Sequence, residues 1–71
     1  MITIAVFRES TGKPEVGIKV TLSVSLGMTD TERTDSRGEA HFDIDPQKAK
    51  VFVDGHLLFE GKLSGRHVIY T

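Results

Sequence analysis

The sequence contains no cysteine. A disulfide framework and a thiolate metal site are therefore both excluded. Small secreted domains often rely on disulfides, so this absence fits a reducing compartment such as the cytoplasm. Charge of one sign is also missing. Ten acids against nine bases leave a formal net charge of −1. A nucleic-acid binder would carry a basic stripe, and no run of like charge is long enough to form one. No apolar run approaches the roughly 20 residues of a membrane span. The opening Met-Ile-Thr-Ile-Ala-Val-Phe is too short for a signal peptide and lacks a basic start. Aromatic residues are few, with four Phe, one Tyr and no Trp. Sugar-binding faces usually rest on exposed aromatic platforms, so composition offers carbohydrate binding no support.

What is present is a strand pattern. In Val16 to Leu26, the residues Val16, Ile18, Val20, Leu22, Val24 and Leu26 alternate with Gly17, Lys19, Thr21, Ser23 and Ser25. A strand sends successive side chains to opposite faces, so this segment predicts one apolar and one wet face. A helix would scatter the same residues around its circumference. The 71 residues suffice for one domain, residues 1–71, with one core. A chain of this length buries only about 60% of the surface it exposes when unfolded, which leaves a thin stability margin.

Seven extended segments are readable. Residues 2–7 are apolar on both faces, which predicts a strand covered on both sides. Ser-Thr-Gly-Lys-Pro at 10–14 breaks the chain before the long strand. Residues 29–34 read as a polar edge strand. Asp35-Ser36-Arg37-Gly38 predicts a turn, with the Asp35 carboxylate accepting backbone N–H groups and Gly38 at positive φ. Ala40, Phe42 and Ile44 then face inward, with His41, Asp43 and Asp45 outward. Asp45-Pro46 ends that strand, and residues 47–50 read as a loop or a single helical turn. Val51 and Val53 point inward and Phe52 outward. Asp54-Gly55 predicts a type I′ hairpin leading into Leu57-Leu58-Phe59. Ser64-Gly65 breaks the chain before a last strand at 67–70. The expected core is Val16, Ile18, Val20, Leu22, Val24, Ala40, Phe42 and Ile44.

Three stretches together carry a family resemblance. Ser10-Thr11-Gly12-Lys13-Pro14-Glu15-Val16-Gly17-Ile18-Lys19-Val20-Thr21-Leu22 resembles the G-x-P-h-x-G-h-x-V-x-L opening of carboxypeptidase regulatory-like domains, which share the transthyretin-like (prealbumin-like) sandwich. Thr34-Asp35-Ser36-Arg37-Gly38-Glu39-Ala40-His41-Phe42 matches their T-D-x-x-G-x-h-x-F turn and strand. Val51-Phe52-Val53-Asp54-Gly55 matches their V-x-V-x-G strand. The resemblance implies an all-β, seven-stranded, Ig-like or transthyretin-like two-sheet sandwich of Greek-key type. It implies a non-catalytic accessory or interaction module. Hydroxyisourate hydrolases of the transthyretin type use a first-strand His and a C-terminal Tyr-Arg-Gly-Ser. This chain has no His in residues 2–7 and ends Val68-Ile69-Tyr70-Thr71. Pilin-type sandwiches that close a Lys–Asn bond need an Asn, and the chain has none.

Chemistry-bearing residues are scattered. His41, His56 and His67 lack the short spacing of a metal motif, so no metal or other cofactor is expected, and only the fold could gather them. Asp43 and Asp45 fall on one strand face about 7 Å apart. With Asp30 or Asp35 they could surround Ca²⁺, although a solvated acidic face is the simpler reading. Glu39 and Glu60 form an acid/base pair only if the fold joins them. The expected function is a binding or structural module without catalysis. The alternative is a small hydrolase with a site gathered from His41, His56 and Arg66. The candidate interaction residues are Val68, Ile69 and Tyr70 in a strand without acid or proline, together with Phe52. If that strand lies at a sheet edge, a homodimer or a protein partner joined there is the expected association; the alternative is an interior strand in a monomer.

Overall fold

Alternation and turn chemistry divide the chain into eight strands in the computed structural model, which describes Met1–Thr71 and contains no helix. They are β1 (Ile2–Phe7), β2 (Lys19–Val24), β3 (Gly27–Met28), β4 (Glu32–Arg33), β5 (Glu39–Phe42), β6 (Gln47–Val53), β7 (His56–Leu63) and β8 (Gly65–Tyr70). One sheet has the order β5-β1-β8, with β1 antiparallel to β5 and parallel to β8. The other has the order β3-β2-β6-β7, all antiparallel, and β4 pairs the same side of β2 beyond β3.

The two sheets share one core. Ile2, Ile4, Val6, Ala40, Phe42 and Ile69 come from the three-stranded sheet. Val20, Leu22, Ala49, Val51, Val53 and Leu63 come from the other. Alternate positions on each strand supply these residues, so pleating alone sorts them inward. On the opposite face of β1 Ala5 is fully buried but Thr3 and Phe7 are only partly so, and residues 2–7 are thus fully covered on the core side alone.

Two turns follow the sequence expectation closely. Asp54 and Gly55 take φ of 52° and 84° between β6 and β7, the paired positive values of a type I′ hairpin. Gly38 has φ of 78° and closes the Asp35 turn through its N–H to the Asp35 C=O at 2.9 Å.

The long alternating segment is shorter than its pattern. Its strand spans only Lys19–Val24, and Val16 is 60% exposed. Residues 15–18 instead wrap around the buried Thr34. Its Oγ1 accepts from the Ile18 N–H (2.9 Å) and donates to the Glu15 C=O (2.6 Å). At the other end Ser25 and Leu26 form a two-residue turn between Val24 and its partner Gly27, which leaves Leu26 99% exposed. Ile18, Val24 and Ile44 border the core, partly buried against it.

Gln47–Lys50 is neither loop nor helical turn, because it pairs with Lys62 and its neighbours as the first half of β6. The edge segment pairs with β2 in two separate pieces, β3 and β4, so the strand count is eight rather than seven. A register shift at Val51/Phe52 opposes Phe52 to Leu57 and leaves Leu58 as the extra residue of a bulge.

Candidate functional site

The outer face of the three-stranded sheet carries the densest polar cluster. Strand pairing sets Glu39 beside Ala5 beside Val68, and His41 beside Thr3 beside Arg66. Side chains in such rows lie within reach of their diagonal neighbours. Arg66 uses this reach. Its Nε donates to Glu39 Oε2 at 2.9 Å, so the ion pair crosses β1 between Thr3 and Ala5.

Asp35 joins the cluster from the turn before β5. Its Oδ1 accepts from the N–H groups of Arg37 (2.8 Å) and Glu39 (3.1 Å). The bond from the Glu39 amide, and then that from the Arg37 amide, hold the Asp35 carboxyl below its ordinary pKa, with a smaller contribution from His41. His41 Nε2 lies 3.5 Å from Asp35 Oδ2 and 3.8 Å from Glu39 Oε1. Its Nδ1 shares a hydrogen bond with Thr3 Oγ1 at 2.9 Å.

Asp35, Glu39 and His41 thus present three potential metal-ligating atoms within 4.8 Å of one another. Each of the three residues already has a protein partner, and the network closes on itself. Its chemistry is that of an imidazole held between two carboxylates, with Arg66 as counter-charge.

The other sequence candidates are dispersed. His56 stands at the β6–β7 hairpin of the second sheet and bonds to neither His41 nor Arg66. His67 turns toward the space between the sheets and stacks on Phe59, with ring centroids 4.1 Å apart. Glu60 lies on β7, in the sheet opposite Glu39. Asp43 and Asp45 do not share a strand face. β5 ends at Phe42, and the Ile44 N–H turns back to the Phe42 C=O at 2.9 Å. The side chains lining the larger open depression, about 330 Å³, include Asp30, Glu32, His41 and Asp43. A second, about 280 Å³, is bordered by Ser23, Lys48, Lys50 and Glu60.

The proposed interaction residues divide between two surfaces. Val68 and Tyr70 share the outer face of the three-stranded sheet with Arg66, and the Tyr70 ring lies 6.2 Å from that of Phe7. Ile69 is only 6% exposed, because it pairs with Val6 on the core side. Phe52 is half-buried between Thr21 and Leu57, on the outer face of the other sheet.

The backbone of β8 is the more distinctive feature. The Thr71 N–H donates to the Phe7 C=O and the Thr71 C=O accepts from the Glu9 N–H, both at 2.9 Å. Alternation then turns the backbones of Gly65, His67 and Ile69 toward β1, and those of Arg66, Val68 and Tyr70 away from it. No strand pairs that side of β8.

Sequence reasoning left the last strand at an edge or in the interior, and the topology puts it at an edge; it missed the cluster around His41. The turn motif and the outward position of His41 were legible, and continuing the same alternation back by two residues would have put Glu39 beside it. What sequence reasoning lacked was the register that sets Arg66 across β1. Comparison with family models, curated proteins and solved structures found no match to this chain.

Proposed function

We propose that this protein is a non-catalytic interaction module of the carboxypeptidase regulatory-like type, which binds another chain by strand addition along β8. The three motif stretches support the family reading, and the two-sheet all-β architecture is compatible with its Ig-like, transthyretin-like form. The observation that carries the binding mode is the open side of β8, where Arg66, Val68 and Tyr70 direct their N–H and C=O groups away from β1. Unpaired edges template strand addition unless charge, proline or a bulge protects them. The other edge of this sheet is shorter and capped at Glu39, which leaves only His41 of β5 with its backbone open. The Asp35 N–H donates to the Glu39 C=O, and Asp35 Oδ1 takes the Glu39 N–H. In the second sheet, β7 carries Glu60, Lys62 and the bulge at Leu58.

The test uses the orientation of Val68. Its N–H points outward, so Val68→Pro removes an edge donor and no bond to β1. Extended peptides selected from a display library for binding should shift the backbone amide resonances of Arg66, Val68 and Tyr70. Val68→Pro should lose that binding while keeping the wild-type NMR dispersion. Peptides that bind equally well to Val68→Pro would refute the edge as the binding surface.

A further inference from the structure

We infer that the strand accepted by β8 is the β8 of a second copy, antiparallel and centred on Val68. The inference rests on the strand-addition reading and specifies its occupant.

The register is chosen by side-chain chemistry. Arg66, Val68 and Tyr70 are the residues whose backbones face the open edge, and their side chains share the outer face of the sheet. A two-fold axis at Val68 opposes Val68 to its own copy. It also opposes Arg66 of each chain to Tyr70 of the other. Each cation then meets an aromatic ring, an attractive pairing on a sheet face. A parallel in-register pairing would oppose Arg66 to Arg66, which is repulsive.

Both partners are available for this role. Arg66 engages Glu39 through Nε, and no ion pair or hydrogen bond occupies its Nη groups. Tyr70 is 59% exposed, with one side of its ring toward Phe7. The core side imposes no charge conflict, because His67 would face Ile69 there and His67 stacks on its own Phe59. The product is a continuous six-stranded sheet with the order β5-β1-β8-β8-β1-β5. It is a closed isologous dimer whose two outer edges are the Asp35-capped β5 strands.

The absence of native cysteine makes the register directly testable. Opposed residues that exchange ladder hydrogen bonds have Cα atoms about 5.5 Å apart, within disulfide range. Val68→Cys should therefore oxidise to a disulfide-linked dimer. Tyr70→Cys alone should not, because the two copies of residue 70 would lie about 14 Å apart along the strands. Ready cross-linking of Tyr70→Cys to itself would overturn the antiparallel register.

Sedimentation equilibrium between about 10 µM and 1 mM should show mass rising from 7.8 kDa toward twice that value. Tyr70→Glu faces Arg66 with an opposite charge and should retain dimerisation. Tyr70→Lys creates two like-charge pairs at once and should weaken it by about tenfold or more. Equal behaviour of Tyr70→Glu and Tyr70→Lys would overturn the proposed pairing. A wild-type chain that stays monomeric throughout, and whose Val68→Cys variant does not cross-link, would overturn the second copy as occupant. Selected peptides that still shift the Arg66, Val68 and Tyr70 amides would then leave strand addition intact.

Discussion

Gly38 and Gly55 both take positive φ, yet their surroundings differ. A Cβ on Gly38 would lie 2.7 Å from the Val6 carbonyl oxygen and 2.9 Å from Pro14 Cβ, whereas one on Gly55 would meet open space. Gly55→Ala should cost only the left-handed backbone penalty, about 1–2 kcal/mol. Gly38→Ala should cost clearly more, because β1 and the 13–15 segment must also shift. Urea unfolding of the two variants measures the difference, and equal losses would contradict the close packing at Gly38. Asp35 sets the pH response of the same turn. Its folded-state pKa lies below the ordinary 3.8. Its amide bonds therefore add stability above that value, and this is lost as pH falls through the folded-state pKa. Asp35→Asn should flatten the acid limb of the stability profile. Carboxyl ¹³C titration should find Asp35 ionising below 3.8.

At the scale of the element, β2 shows how far alternation carries. Val16, Leu22 and Leu26 occupy equivalent places in one pattern, but only Leu22 is buried. Leu22→Ala should cost about 2–5 kcal/mol. Val16→Ala and Leu26→Ser should stay within about 0.5 kcal/mol of wild type. Thermal melts of the three would separate a six-residue strand from an eleven-residue one. The ion pair across β1 belongs to this scale as well. Arg66 is half exposed, so Glu39→Gln should change stability by about 1 kcal/mol or less, and less again in high salt.

The whole molecule spans 35 × 19 × 18 Å, and its first and last strands lie side by side. The β1–β8 pairing closes the core with Ile69 against Val6, so it is formed by residues far apart in sequence. Such topology folds in milliseconds to seconds rather than microseconds. Removing residues 65–71 would uncover the buried Ile4 and Val6 and should leave a largely unfolded chain by far-UV CD. In dilute solution, hydrogen exchange should be slowest at core-lining amides of β1, β2 and β6. It should be fastest within β8 at Arg66, Val68 and Tyr70, whose N–H groups have no ladder partner.

The sequence by itself determined the strand class, the two Asp-Gly-based turns and the inward positions of Val20, Leu22, Ala40, Phe42, Val51 and Val53. These depend on a period of two and on local backbone preferences, which neighbouring residues encode. Tertiary structure decided where the patterns stop. Thr34 captures residues 15–18 across the fold, and alternation carries no sign of that. Tertiary structure also decided that Gln47–Lys50 is a strand, since its partner, the far end of β7, lies beyond the hairpin. The His41 cluster and the Arg66–Glu39 bridge needed the register of three strands distant in sequence. Register is a property of pairs of strands, so it becomes visible only once the sheets have formed.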